Sequence, residues 1–97
     1  MHSDAYCRFR AEQCLARIAQ QCGEALMLMP QQFETEATLA YTYQTTNYLA
    51  TGDVTHALSG NGPILVSRLT GAVAVAGTAL PITEYIREFE AEAVRST

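Results

Sequence analysis

The sequence predicts an α+β fold in which about four mainly antiparallel strands form one sheet. Three observations predict it. The first two are helical periodicity at both ends of the chain and, between these ends, short apolar or alternating runs bounded by turn residues. The third is the length of 97 residues, which supports one modest hydrophobic core. We therefore expect residues 1–97 to form a single two-layer domain, with an N-terminal and a C-terminal helix on one face of the sheet.

The first segment has the pattern of an amphipathic helix that ends at Gly23. Its apolar positions recur every three or four residues and form one stripe, which consists of Cys7, Ala11, Cys14, Leu15, Ile18 and Cys22. Glycine adopts the left-handed conformation of a helix C-cap without steric strain. The cysteines lie too far apart to pair within this helix. We expect three reduced core thiols, with no disulfide and no metal site.

Two strands are predicted after this helix. Residues 25–29 form a short apolar run that Pro30 closes, and residues 31–36 are predicted as a turn or loop. The next segment alternates, which predicts a strand with an aromatic core face and a small, polar face that is open to water. The core face carries Leu39, Tyr41 and Tyr43, and the polar face carries Thr38, Ala40, Thr42 and Gln44.

Residues 45–62 form a long connection with turn chemistry. Gly52 suits a tight bend, and Asp53 suits the cap of a short helix through Leu58. On such a helix His56 lies beside Asp53, an arrangement that can orient an imidazole for acid–base chemistry. A capping aspartate near a solvent-exposed histidine explains the same residues, so both interpretations stay open.

The clearest hairpin in the sequence follows this connection. Residues 63–68 and 72–76 are apolar runs, and Leu69, Thr70 and Gly71 join them, with the glycine suited to a bulge. Leu69 has little core within reach at the tip of such a turn, which makes it a candidate contact. One face of the second run carries only alanines, so we expect this side of the sheet to be flat and thinly covered.

The last segment predicts a helix that opens at Pro81. Its apolar stripe consists of Ile82, Tyr85, Ile86, Phe89 and Ala93. Glu84, Glu88 and Glu92 form an acidic row on the same helix. Such a row is either a solvated surface or a contact for a basic partner.

Charge and composition argue against several classes of function. Ten acidic residues and six arginines give a net charge of −4, which argues against a nucleic-acid partner. The chain has no lysine, so it lacks the lysine of a phosphate-binding loop. No window approaches the ~18 uninterrupted apolar residues of a membrane span, and the first residues lack the pattern of a signal peptide. We expect a soluble, cytoplasmic protein.

Apart from the open interpretation of Asp53 and His56, no group of residues predicts catalysis, a metal or a cofactor. The cysteines fall on a buried stripe, whereas a thiol nucleophile needs an exposed, electropositive setting. Neither His2 nor His56 has the spacing of a ligand pair. We therefore expect a protein that is not an enzyme, needs no cofactor and acts by binding another protein.

Several short blocks occur in order over roughly half of the chain: Tyr48-Leu49-Ala50-Thr51-Gly52-Asp53, Ala57-Leu58-Ser59-Gly60-Asn61-Gly62-Pro63, Val66, Thr70-Gly71, Gly77-Thr78, Pro81, Glu84-Tyr85-Ile86 and Phe89-Glu90. Together they resemble immunity protein 35, a family of bacterial polymorphic-toxin systems. The resemblance implies an α+β protein, encoded beside a toxin, that binds this cognate toxin and occludes its active site or substrate path. The lack of a signal-peptide pattern then implies a toxin that acts in the cytoplasm.

The same family is similar to a small chaperone-like protein, so the alternative function is a chaperone-like or self-associating binding protein. A homodimer through the flat face of small residues is compatible with this alternative. The candidate partner contacts are Leu69, Thr38, Thr42, Asp53, His56, Glu88 and Glu92.

Overall fold

The computed structural model describes residues 1–56 and 62–95. In this part of the chain the helices and strands follow the order α1 (Asp4–Cys22), β1 (Leu26–Glu34), β2 (Thr38–Thr45), α2 (Thr46–Thr51), a 3₁₀ turn (Val54–His56), β3 (Ile64–Ser67), β4 (Val73–Val75) and α3 (Ile82–Arg95). The strands form one antiparallel sheet in the order β1-β2-β3-β4, so each strand pairs with its neighbour in sequence. Within the described ranges, no helix is both long and apolar enough to cross a membrane.

The two long helices lie on opposite faces of the sheet. α1 packs on the face that carries Tyr41 and Val66, and α3 packs on the face that carries Ala40 and Leu65. The predicted α+β class, antiparallel sheet and terminal helices are confirmed, but the prediction that both helices share one face is wrong. β3 explains the error, because Ile64–Ser67 is buried along its whole length, and a strand buried on both faces needs a layer on each side.

Hydroxyl and glycine caps delimit the first two helices. The Ser3 hydroxyl accepts a hydrogen bond from the N–H of Tyr6 at the start of α1, and Thr45 caps α2 in the same way. Gly23 and Gly52 end these helices with φ angles of 74° and 71°, the left-handed conformation that favours glycine. The C-cap predicted at Gly23 is confirmed. The short helix predicted from Asp53 through Leu58 begins as the 3₁₀ turn Val54–His56, and residues 57–58 lie outside the described residues. α2 precedes this turn in the same connection.

The cysteines of α1 differ in burial. Cys7 and Cys14 are buried in the core as predicted, but Cys22 is exposed, so the prediction of three core thiols is wrong for this residue. Ile18 is the last side chain of α1 that packs against the core. The last turn of the helix therefore carries Cys22 beyond the part of the stripe that the sheet covers.

β1 continues through Pro30, where the sequence predicts its end. The register shifts between Leu28 and Gln32, so residues 29–31 stand opposite the single residue Thr42 and form a bulge. Proline is tolerated there because β1 is an edge strand and a bulged residue needs no ladder N–H. The predicted loop over residues 31–36 is therefore largely strand.

The turn between β3 and β4 agrees with the predicted hairpin. The N–H of Ser67 donates to the carbonyl of Ala72 at 2.9 Å, and the N–H of Gly71 donates to the carbonyl of Ser67 at 2.9 Å. Gly71 has a φ of 77°, which is why glycine suits this position. Leu69 is 54% exposed at the tip, as the sequence predicts.

Candidate functional site

A shallow groove lies between α3 and the edge strand β4. Residues of α3 spaced three or four apart form one wall, and β3 and β4 form the other. The groove has a volume of about 160 Å³ and is lined by Leu65, Ala74, Val75, Ala76, Tyr85, Glu88, Phe89 and Glu92. Two of the predicted partner contacts, Glu88 and Glu92, therefore lie together in one concave surface.

The groove combines an apolar floor with an acidic rim. Leu65 and Ala76 are buried in the core cluster beneath α3, and the partly buried ring of Phe89 packs against this cluster. Glu88 is exposed, and Glu92 follows it one helical turn later. Carboxylates beside an apolar floor fit a partner that presents basic and apolar side chains close together.

A tyrosine hydroxyl fixes the N-terminal end of α3. Tyr85 Oη accepts hydrogen bonds from the N–H of Ala79 at 3.1 Å and from the N–H of Leu80 at 3.2 Å. A Cβ at Gly77 would lie 2.7 Å from the same oxygen, so glycine is needed for this approach. These contacts tie the segment that leaves β4 to the first turns of α3 and thereby fix one end of the groove.

A carboxylate fixes the C-terminal half of α3. Glu90 Oε1 accepts hydrogen bonds from the hydroxyls of Thr35 at 2.6 Å and Thr38 at 2.7 Å. Thr38 has an exposed fraction of 0%, so this predicted contact lies beneath α3 and belongs to the scaffold. Thr42, on the same face of β2, is exposed. α3 therefore covers only part of the face that the sequence predicts to be open.

The remaining predicted contacts lie at opposite ends of the sheet. Thr38 pairs with Ser67, which places the β3–β4 turn and Leu69 at the start of β2. Asp53 follows α2, which begins at the other end of β2. The eight residues of β2 span roughly 25 Å. The predicted contacts therefore do not form a single patch.

Asp53 has the geometry of a cap. Its carboxylate accepts hydrogen bonds from the N–H of Thr55 at 3.0 Å and from the hydroxyl of Thr55 at 2.9 Å. These two bonds hold the pKa of Asp53 below its usual value. The side chain of His56 lies outside the described part of the chain, so the pairing of Asp53 with His56 remains a hypothesis.

Burial disfavours the ionised forms of the core cysteines and of Tyr41, and these are the forms that react as nucleophiles. Burial raises the pKa of the Cys7 and Cys14 thiols, and nearby arginines offset this only in part. Burial also raises the pKa of Tyr41 to about 12, and its hydroxyl has no hydrogen-bond partner among the described residues. In residues 1–56 and 62–95, no three His, Cys, Asp or Glu side chains cluster in a way that could hold a metal ion.

Arg68 connects three parts of the fold, a role that the sequence does not reveal. Its guanidinium forms ion pairs with Asp4 of α1 and, at 2.7 Å, with Glu34 of β1. Its backbone N–H donates to the carbonyl of Ala37, and its carbonyl accepts from the N–H of His2. The only local signal is a single basic residue directly after a buried strand. This arrangement orders the end of the sheet where Leu69 lies.

The blocks that resemble the immunity family coincide with caps and turns in the described residues. Gly52 and Gly71 have positive φ angles, and a Cβ at Gly62 would overlap the carbonyl of Ala76. Backbone requirements of this kind specify a scaffold rather than a particular toxin. The blocks therefore support the fold more directly than the identity of a partner.

No protein-family model matches the chain, and no solved structure matches it. A segment of 50 residues is 32% identical to "Uncharacterized protein YrhB" of Escherichia coli (strain K12), and the alignment covers 52% of this chain and 53% of that protein. The chain thus spans about half the length of this curated relative. The similarity connects the two sequences and assigns no activity to either.

Proposed function

We propose that this chain is an immunity-type protein that binds a bacterial toxin and blocks it, without a catalytic step of its own. The observation that carries the proposal is the groove between α3 and β4, because its acidic rim and apolar floor fit a basic protein segment. The resemblance to immunity protein 35 supplies the class of partner. As part of the proposal, the toxin acts in the cytoplasm and the chain occludes its active site or substrate path.

The size of the groove favours a protein partner over a small molecule. Small-molecule pockets commonly enclose ~300 Å³ or more, whereas this groove has a volume of about 160 Å³. A stable protein interface buries about 800 Å² on each partner, which exceeds the surface of the groove. The interface therefore extends beyond the groove onto other exposed side chains, which include Leu69 at the end of the sheet.

The experiment expresses the protein encoded by the adjacent gene, alone and together with this chain, and measures bacterial growth. We expect the neighbour to arrest growth and the chain to restore it through a stable complex. Growth arrest that persists despite equal expression of the chain, with no complex on co-purification, would count against the proposal.

A charge-reversal pair locates the contact. Glu88→Lys with Glu92→Lys reverses the rim, and we expect the affinity for the toxin to fall about tenfold, since exposed charge pairs each contribute up to about 1 kcal/mol. Glu24→Lys is the control, because it reverses one exposed carboxylate just before β1, the strand at the opposite edge of the sheet. Titration calorimetry should show little effect of this control. Equal losses in both proteins would move the contact away from the groove.

A chaperone-like function is the second candidate, and one surface favours it. Met27 and Phe33 are 53% and 44% exposed, and they pair with Gln44 and Ala40 on the face that α3 only partly covers. Exposed apolar side chains of this kind can hold unfolded segments. Suppression of the aggregation of two unrelated client proteins, lost in Phe33→Ser, would support this candidate, and no suppression would remove it.

A further inference from the structure

Among the described residues, nothing pairs with the outer backbone edge of β4, which lies beside the groove. The carbonyl of Ala72 accepts a hydrogen bond of 2.9 Å from the N–H of Ser67 in β3. The N–H of Ala76 donates a hydrogen bond of 2.8 Å to the carbonyl of Pro63, which directly precedes β3. Residues of an antiparallel ladder alternate between those that bond to the neighbouring strand and those that point away from it. Val73 and Val75 therefore direct one N–H and one C=O each away from β3, where no described residue bonds to them.

The two edges of the sheet differ in their capacity to accept another strand. β1 forms the other edge, but Pro30 and the bulge interrupt its row of donors and acceptors. Bulges and prolines are common ways to protect an edge strand from pairing. β4 has no proline, and Val75 is 49% exposed. An added strand therefore fits β4 better than β1.

We infer that a basic, extended segment of the partner adds to the sheet as a fifth strand along the free edge of β4. Neighbouring strands lie about 4.8 Å apart and direct alternate side chains to each face. One set of side chains from the added strand consequently enters the groove, where apolar groups meet Phe89 and basic groups meet Glu88. The inference rests on the proposed function for the identity of the partner, but not for the mode of binding.

Charge favours a basic partner over a second copy of this chain. If two copies paired through antiparallel β4 strands, their α3 helices would lie on the same face of the continuous sheet. The rims that contain Glu88 and Glu92 would then face each other, and both copies carry a net charge of −4. Like charges across a strand pair are destabilising. A strand with lysine or arginine meets the same rim with the opposite charge.

The test uses a short, acetylated and amidated peptide with the repeat Lys-Thr-Val-Thr as the probe, in which lysine and valine alternate along one face of the strand; we call it the lysine–valine peptide. NMR measures amide-proton exchange of the full chain with and without the peptide. We expect exchange at Val73 and Val75 to slow about tenfold when the peptide is about ten times above its dissociation constant. The matched peptide with the repeat Glu-Thr-Val-Thr should not bind. Unchanged exchange at both valines under lysine–valine peptide would overturn the inference.

A backbone variant provides the second test. Val75→Pro removes an N–H that points away from β3, so the bonds between β3 and β4 are retained. We expect this variant to bind the lysine–valine peptide at least about tenfold more weakly than Val75→Thr, which keeps the N–H and a similar shape. Equal binding by the two variants would overturn the inference. If the wild-type chain forms a dimer and Val75→Pro abolishes it, the inference is overturned, because the added strand is then β4 of a second copy and not a segment of the partner.

These outcomes separate strand addition from the proposed function. If the peptide adds at β4 but the protein from the adjacent gene does not bind, strand addition holds and the toxin-blocking function fails. If that protein binds equally to Val75→Pro and Val75→Thr, and the amides of β4 stay unprotected, the toxin-blocking function holds and strand addition fails.

Discussion

The hydroxyl of Thr38 donates a hydrogen bond of 2.7 Å to the carboxylate of Glu90, which joins the first residue of β2 to α3. The hydroxyl of Thr35 donates to the same oxygen at 2.6 Å, and it also accepts a bond of 3.1 Å from the N–H of Thr38. One carboxylate thereby holds the β1–β2 turn and the helix together. Since α3 forms one wall of the groove, the position of that wall depends on this contact.

Glu90→Ala should destabilise the fold. The substitution leaves the buried hydroxyl of Thr38 without its acceptor, and hydrogen bonds to charged groups contribute about 1.5–3 kcal/mol each. We expect the free energy of unfolding in urea to fall by about 2 kcal/mol. Glu88→Ala is the control, because Glu88 is exposed on the same helix and should change stability by less than about 0.5 kcal/mol. Equal stability of the two variants would contradict the role of Glu90.

Local patterns in the sequence were sufficient to predict most elements of the fold. The stripe of α1, the cap at Gly23 and the aromatic face of β2 each follow from a periodicity or a conformational preference of nearby residues. The β3–β4 turn at Gly71 is predictable for the same reason. Each of these features is determined within a few residues of chain, and the structure confirms them.

Features that depend on distant residues were not predictable. Thr38 and Glu90 are 52 positions apart, and a threonine on a polar strand face gives no sign that a later helix will cover it. The bulge at Pro30 also required knowledge that β1 lies at an edge, where proline is tolerated. The groove illustrates both cases. The acidic row of α3 predicts Glu88 as a contact from local sequence. Val75 is not predictable in this way, because only the strand order makes β4 an edge strand.

Tyr41→Phe should stabilise the protein slightly. The Tyr41 side chain is fully buried and its hydroxyl has no partner among the described residues, so the hydroxyl costs desolvation without a compensating bond. We expect a gain of up to about 1 kcal/mol in urea unfolding. Tyr85→Phe is the contrasting control, because it removes the acceptor for two N–H groups and should cost about 1 kcal/mol. A clear loss of stability in Tyr41→Phe would show that the hydroxyl is bonded.

Ionisation of Tyr41 should lower the stability of the protein at alkaline pH. Its pKa is raised from 10.0 to about 12 by burial, so the folded state favours the neutral form. Below pH ~10 the tyrosine is neutral in both the folded and the unfolded state, so the shift has no effect on stability there. As the pH rises from ~10 towards ~12, the unfolded state ionises first and the folded state loses stability. Unfolding free energies measured across this range should fall more steeply in the wild type than in Tyr41→Phe. Parallel curves for the two proteins would exclude Tyr41 as the source.

One of the three thiols should react rapidly in the folded protein. Cys22 is exposed, whereas Cys7 and Cys14 are buried and have pKa values raised by burial, which lowers their thiolate fraction. A chromogenic thiol reagent should therefore modify one equivalent quickly and the other two only in urea. Cys22→Ser should remove the fast phase and leave the slow one. Two fast equivalents in the native wild type would contradict the burial of the core cysteines.

Gly62→Ala should weaken both the fold and the groove. A Cβ at this position would overlap the carbonyl of Ala76 and lie 2.9 Å from that of Gly77, so the end of β4 would have to move. We expect a loss of about 2–3 kcal/mol in unfolding free energy, with weaker binding of the lysine–valine peptide. Gly23→Ala serves as the control: no atom lies within 4 Å of its Cβ, and only the strain of its left-handed conformation, about 1 kcal/mol, opposes it. Since Gly23 caps α1 on the other face of the sheet, this control should leave peptide binding unchanged at temperatures where it is folded. Equal effects of the two variants on binding would show that the approach of Gly62 to Ala76 does not position β4.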